Sequence, residues 1–221
     1  DGAIGLTYAI MRRIVSYDRF VHEGRWLKER PTPTTRLAGK TMGVVGLGRI
    51  GAHIAKRAQA IGMQVKYTGP REKGGAGIPF VADVAKLAEE SDVLVLACPG
   101  GEATRNLVNR NVIEKLGANG YLVNVSRGSV VEEGALLDAL EQKKIAGAAL
   151  DVFQTEPATE SPLFGTPNFI CTPHLGASTE EAQAAVAVEM HLLVDILVEM
   201  VVILQLLLVH KQYLPLLVAA V

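Results

Sequence analysis

The 221-residue chain has little cysteine and little aromatic character: two cysteines, Cys98 and Cys171, one tryptophan, and 5% aromatic residues in all. Two thiols so far apart in sequence, each beside an apolar run, make neither a disulfide framework nor a metal-ligand motif. They read as reduced, buried thiols of a cytoplasmic protein that binds no metal. Net charge is also lacking, since 22 Lys and Arg against 23 Asp and Glu leave a formal −1, which removes the electrostatic case for a nucleic-acid partner. The chain opens on Asp1-Gly2 with neither an initiator methionine nor a basic, apolar leader, so it reads as starting inside a longer sequence without a signal peptide. Apolar residues, by contrast, are abundant: at 49% they suffice for a substantial buried core.

The stretch from Lys40 to Gly51 organises the rest. Met42 to Val45 has the β-branched content of a buried strand. Gly46-x-Gly48-x-x-Gly51 follows, and then Ala52, Ile54, Ala55, Ala58 and Ile61 recur at helical spacing. In a strand–turn–helix unit, Gly46 allows the turn, Gly48 lets the backbone approach a pyrophosphate, and Gly51 lets the helix lie close to the strand. The N–H groups and dipole at the helix start then favour phosphate. A glycine turn also has purely structural uses; the strand before it and the helix after it are what point to a dinucleotide.

Residues 1–22 carry apolar side chains mostly at helix spacing and read as one helix. Residues 23–39 turn polar, with Pro31 and Pro33, and read as an extended arm whose Trp26 packs on another surface. Beyond the glycine turn, strands are expected at Met63–Thr68, Asp92–Ala97, Tyr121–Val125, Ile145–Leu150 and Phe169–Cys171. Helices are expected at Val84–Glu90, at Arg110–Leu116 capped by Asn109, and at Glu132–Glu141 with acids in its first turn. This alternation predicts an α/β fold, a Rossmann-type doubly wound parallel sheet with helices on both faces. The division expected is an NAD(P)-binding domain over residues 1–180, with its core from 40, and an apolar helical tail over 181–221. Leu192 to Val209 is broken only by Asp195, Glu199 and Gln205. Two acids one turn apart argue against lipid and for a buried or interface helix.

An NAD-binding unit places an acid about 20 residues past its glycines to hold the ribose 2′-hydroxyl. Here Thr68 and Gly69 occupy that place, with Arg71 and Lys73 just beyond. Loss of the carboxylate and gain of cations favours NADPH, with NAD as the alternative if the two cations are merely solvated loop charges.

Three fragments follow expected strand ends: Asn124 to Ser129, Leu150 to Pro157, and Thr172 to Ser178. They contribute Arg127, Glu156 and His174. Reduction of a ketone by hydride needs a proton donor, a group that keeps the donor oriented and charged, and a cation for the substrate's negative end; imidazole, carboxylate and guanidinium meet those needs. Each residue alone has an ordinary account as a surface cation, a loop acid or a satisfied polar group.

The motifs Val45 to Gly51, Asn124 to Ser129 with Val130 to Leu136, Ala149 to Phe153 with Glu156-Pro157, and Pro173 to Gly176 occur in the order found in one family. From Asp1 to about Gln183 the chain resembles the D-isomer-specific 2-hydroxyacid dehydrogenases. The resemblance implies that Arg127 binds the substrate's carboxylate and carbonyl, that His174 is the acid/base, and that Glu156 is its partner. It implies that Asp151 sits by the nicotinamide carboxamide, and that Val125, Pro99 and Thr104 line the cofactor. The expected cofactor contacts are completed by the glycine turn (Gly46, Gly48, Arg49, Ile50, Gly51), by Thr68, Gly69 and Arg71, and by Cys98, Ser126, His174 and Gly176. Tyr67 to Arg71 and Ala97 to Arg105 look most like the NADPH-using glyoxylate/hydroxypyruvate reductases, whereas His174 to Gln183 looks more like 3-phosphoglycerate dehydrogenase. The family also pairs through its nucleotide domain. The first helix, the Trp26 arm and the tail accordingly read as interface material of a homodimer acting on a small 2-keto or 2-hydroxy acid, with no membrane partner. The family carries a substrate domain of roughly a hundred residues before the equivalent of Asp1. The chain as it stands is therefore expected to bind dinucleotide and to reduce ketoacids poorly unless that half is supplied. The rival expectations are a 3-phosphoglycerate dehydrogenase-like NAD enzyme, a dinucleotide-sensing corepressor-like module, or an inactive fragment.

Overall fold

A computed structural model describes residues 1–185 together with Leu197 and Met200. Of the tail expected over 181–221, the rest lies outside the described residues. The chain forms two compact units, Asp1–Gly176 and Ala177–Val221. In the second, a helix begins at Glu180, where Thr179 caps it by accepting the Ala182 N–H on its hydroxyl at 3.1 Å.

The first unit is built on a six-stranded parallel sheet: β1 (Thr41–Val45), β2 (Gln64–Thr68), β3 (Val93–Leu96), β4 (Tyr121–Asn124), β5 (Gly147–Leu150) and β6 (Phe169–Cys171), in the order β2-β1-β3-β4-β5-β6. The helices are α1 (Gly2–Met11), α2 (Ile14–His22), α3 (Arg49–Ala60), α4 (Val84–Glu89), α5 (Arg110–Leu116) and α6 (Glu133–Glu141). Because the central strands are covered on both sides, they read as unbroken apolar runs rather than alternating ones; every residue of β3 is buried. One face packs Leu6, Ile10 and Met11 of α1 and Ile54, Ala55 and Ala58 of α3 against Val44, Val95 and Val123. The other packs Leu87 of α4, Ile113 of α5 and Leu136 of α6 against Leu94, Leu96 and Leu122. Each fully buried leucine or valine of this kind stabilises the fold by roughly 1.5–3 kcal/mol. Asp83 and Asn109 cap α4 and α5 by accepting the Lys86 and Val112 N–H groups, each contributing about 1 kcal/mol.

The sheet is Rossmann-like, and the strands fall where the residue patterns place them to within two residues or so. Three expectations need correction. The predicted single helix over 1–22 is two, because Arg13 takes a left-handed backbone (φ 50°) and the Met11 carbonyl turns to accept the Thr35 N–H at 3.2 Å. The arm after it is not wholly extended: Arg25–Leu27 is a 3₁₀ turn, held near α2 by the Arg25 guanidinium 4.9 Å from the centre of the Phe20 ring, and Trp26 is 67% exposed. Cys98 is buried as expected, but Cys171 is exposed, because it ends a three-residue strand that pairs on one side only.

The register aligns the carboxyl ends of all six strands. Val45 lies beside Thr68 and Leu96, Leu96 beside Asn124, Asn124 beside Leu150, and Leu150 beside Cys171. Any residue just past those positions is delivered to one edge of the sheet. The strand order reverses between β1 and β3, so the connections diverge there and leave a crevice, the position at which open α/β sheets take ligands.

Candidate active site

The glycine turn fills the β1 side of that crevice. Gly46 has φ 94°, and a Cβ on it would lie 2.8 Å from the Cys98 backbone, so both conformation and space demand glycine. A Cβ on Gly51 would fall 2.0 Å from the Gly46 carbonyl oxygen, which is how closely α3 sits on the turn. Gly48 differs: a Cβ there would meet nothing within 4 Å, and the residue opens onto a cavity of about 860 Å³. Arg49, Ile50, Cys98, Pro99, Val125, Ser126 and Arg127 line the same cavity. That volume is the size of a small-molecule site, and its floor is the start of α3, whose free N–H groups suit a phosphate. The residues present therefore fit a dinucleotide.

Other residues expected at the cofactor stand near the crevice but do not line this cavity. Thr68 ends β2, and its carbonyl accepts the Gly46 N–H at 2.9 Å, which brings Gly69 beside the turn, with the exposed Arg71 two residues further on. The loop beyond is pinned by the buried Tyr67, whose hydroxyl accepts the Lys73 N–H at 2.7 Å. Thr104 braces its own loop by donating to the Pro99 carbonyl at 2.8 Å.

Arg127 follows β4 through a turn built by Asn124. That wholly buried amide accepts the Ser126 N–H and hydroxyl on its oxygen and donates from Nδ2 to the Arg127 carbonyl at 3.0 Å. The guanidinium is fixed in turn by Nη1 donating to the Ser126 carbonyl at 2.7 Å. The neighbouring loop after β5 is anchored by Gln154, whose N–H reaches Glu133 at 2.6 Å and whose side chain donates to the Val131 carbonyl at 2.7 Å. Glu156 then turns back: one carboxylate oxygen accepts the Phe153 N–H at 2.9 Å, and the other lies 2.8 Å from Nδ1 of His174. The bond to His174, then the Phe153 N–H, and more weakly the Arg127 charge hold the Glu156 carboxyl below the usual carboxylate range.

Asp151, at the end of β5, is 4% exposed and accepts the Thr172 hydroxyl and the Leu175 N–H on Oδ1 at 2.6 and 2.7 Å. Gly176 passes close enough that a Cβ on it would lie 3.4 Å from the other oxygen. A second cavity of about 480 Å³ lies here, bounded by Asp151, Glu156, Cys171 and His174 with apolar walls from Phe153 and Phe164. Asn124, Gln154, Glu133 and Thr172 were not singled out from the sequence. Only Asn124 left a legible signal, an amide at a strand end two residues before a serine.

The arrangement offers an oriented imidazole–carboxylate pair and a cation on adjacent loops at the edge that also carries the glycine turn. Among the described residues no cluster of His, Cys, Asp or Glu is arranged to hold a metal ion, and no helix is long and apolar enough to cross a membrane.

Residues 4–176 match the D-isomer specific 2-hydroxyacid dehydrogenase NAD binding domain. Glyoxylate/hydroxypyruvate reductase A of Arabidopsis thaliana is 43% identical over 187 residues, which are 85% of this chain and 60% of that protein. D-3-phosphoglycerate dehydrogenase of Methanocaldococcus jannaschii is 40% identical over 186 residues, 82% of this chain and 35% of that protein. Among solved structures, the NADPH-dependent glyoxylate/hydroxypyruvate reductase of Sinorhizobium meliloti in complex with NADP and malonate is similar with a TM-score of 0.77 at 38% identity, covering 82% of this chain and 58% of that one. The chain thus spans 60% or less of the length of these relatives. The matched domain takes in every strand of the sheet and ends just past His174, and the chain belongs to the D-isomer specific 2-hydroxyacid dehydrogenases.

Proposed function

We propose that the protein carrying this chain reduces a small 2-keto acid, glyoxylate or hydroxypyruvate, to the 2-hydroxy acid with NADPH as the preferred cofactor. The observation that carries the reading is the 2.8 Å bond between His174 and Glu156 at the sheet edge that also holds the glycine turn. The bound nicotinamide supplies the hydride. The chain's own residues do the rest: His174 gives the proton to the carbonyl oxygen, Glu156 holds the imidazole in line, and Arg127 grips the substrate's carboxylate. NADPH is favoured because the end of β2 carries Thr68 and Gly69 instead of an acid, with Arg71 and Lys73 following. The Sinorhizobium meliloti neighbour, described as NADPH-dependent, supports the same choice. The protein is further proposed to pair as a homodimer through α2 and the Trp26 turn, where Ile14, Val21, Trp26 and Leu27 are exposed.

NADPH oxidation followed at fixed hydroxypyruvate tests the reading. His174→Ala should lose on the order of 10²- to 10⁴-fold in kcat, the usual contribution of a positioned general acid. Parental turnover in that variant would remove the mechanism. The 40% identity to a 3-phosphoglycerate dehydrogenase makes oxidation of 3-phosphoglycerate with NAD the rival activity to assay beside it.

A further inference from the structure

The His174 loop hangs on one carboxylate. The Asp151 backbone carbonyl accepts the His174 N–H at 2.9 Å, and Asp151 Oδ1 accepts the Leu175 N–H at 2.7 Å and the Thr172 hydroxyl at 2.6 Å. The chain on both sides of His174 is therefore tied to a single oxygen of a residue that is 4% exposed. His174 itself has φ 53°, a left-handed conformation that side-chain-bearing residues adopt only where their surroundings hold them. A second His174 N–H bond, 3.1 Å to the Thr172 carbonyl, closes a tight turn around Pro173. The turn thus begins at Thr172, and Thr172 is the one residue of the loop whose side chain reaches Asp151.

We propose that Thr172 is a positioning residue for His174: by bonding Asp151 it fixes the start of the turn from which the imidazole reaches Glu156. The proposal rests on His174 being the acid/base of the reductase reading. A hydroxyl is required because Asp151 Oδ1 is an acceptor facing the loop, and a hydrogen bond to a carboxylate is both directional and stronger than a neutral one. Valine has nearly the shape of threonine but gives Oδ1 no donor. The start of the turn then loses its tie to Oδ1, leaving the His174 N–H bonds and the Leu175 N–H bond beyond it, and a displacement of the imidazole by a fraction of its 2.8 Å contact spoils its alignment.

Thr172→Val and Thr172→Ser are the test, compared with the parent by NADPH-dependent hydroxypyruvate reduction and by carbon-13 NMR titration of the Glu156 carboxyl. The expected result for Thr172→Val is a kcat lowered about tenfold or more, with KM for NADPH within about twofold, as for a misaligned catalytic group with an intact cofactor site. The Glu156 titration should move up towards the ordinary carboxylate range, because the His174 bond is the largest influence keeping it low. Thr172→Ser, which keeps the hydroxyl, should match the parent in both. An unmoved Glu156 titration in Thr172→Val overturns the inference whatever the turnover, and so does a Thr172→Ser variant that behaves like valine. If valine prevents folding, Thr172→Ala supplies the same comparison. The titration needs no turnover, so a protein that fails to reduce 2-keto acids would refute the reductase reading while Glu156 still decides the role of Thr172.

Discussion

A Cβ placed on Gly128 would lie 1.9 Å from the carbonyl carbon of Phe153, so the loop bearing Arg127 and the loop leading to Glu156 meet backbone against backbone. No rotamer change relieves that contact. Gly128→Ala must therefore separate the loops, at a cost of about 3 kcal/mol or more, the upper part of the range for overpacking a close contact. Urea unfolding should show a lowered midpoint. Where the variant still folds, KM for the keto acid should rise, because Arg127 moves with its loop. A variant as stable as the parent would mean the two loops do not depend on one another.

Glu156 makes the pH dependence definite in sign. Its folded carboxyl titrates below the ordinary value, chiefly through the His174 bond. A lowered folded pKa contributes stability that is present above the unfolded value, about 4.3 for glutamate, and lost as pH falls through the folded value. The side chain is 36% exposed, so solvent screening keeps the contribution small. Denaturant unfolding of the parent and of Glu156→Gln should therefore differ near pH 5 and converge as pH falls below it. A difference that grows as pH falls would place the favourable bond on the protonated acid instead.

These two contacts also mark the limit of what the residue order reveals. Val93 to Leu96, entered from Asp92, and Tyr121 to Val123, entered from Gly120, are short apolar runs, and they became strands as the pattern requires. Asn109 at the head of an apolar periodic run became the cap of α5. Such features depend on neighbours within a few positions. The break at Arg13 does not, because the spacing of Ile10, Ile14 and Val15 continues through it. The groups that meet the two residues before it, Met11 and Arg12, come from Thr35 and Thr34, more than twenty residues away. The chemistry-bearing residues were legible as types at strand ends, whereas their supports were not. Thr172 reaches Asp151 across 21 residues and Gln154 reaches Val131 across 23, and nothing local to either residue announces its partner.

The loop after β2 should decide the cofactor. The Thr68 carbonyl accepts the Gly46 N–H and the Tyr67 hydroxyl accepts that of Lys73, so Gly69 starts beside the glycine turn and the segment bearing Arg71 runs between two fixed points. If Arg71 and Lys73 meet a 2′-phosphate, removing both should weaken NADPH binding by about 10- to 100-fold, the loss of one or two charge-assisted bonds. NADH, which lacks the phosphate, should bind as before. Fluorescence titration of Arg71→Ala/Lys73→Ala with each cofactor reads the difference directly. Equal losses for the two cofactors would assign the cations to general attraction of the pyrophosphate, and no loss for either would leave them as solvated loop charges.

The surface around α2 bears on assembly. Leu6, Ile10 and Met11 of α1 are buried under the sheet, so the first helix spends its apolar face inside the chain. Beyond the break at Arg13 the situation reverses: Ile14 is 52%, Trp26 67% and Leu27 92% exposed. The Trp26 turn is nonetheless ordered against α2, with Arg25 over the Phe20 ring and paired with Glu29 through a 2.7 Å contact. Apolar side chains presented on an ordered surface are a feature of interfaces more than of free surface. Near-zero net charge adds no long-range repulsion between two copies. Sedimentation at micromolar concentration should therefore give a dimer for the parent and a shift to monomer for Trp26→Ser/Leu27→Ser. That variant should retain its melting temperature when measured at concentrations where the parent has also dissociated, since neither side chain supports the fold of its own chain. A parent that sediments as a monomer would leave Trp26 and Leu27 without this role.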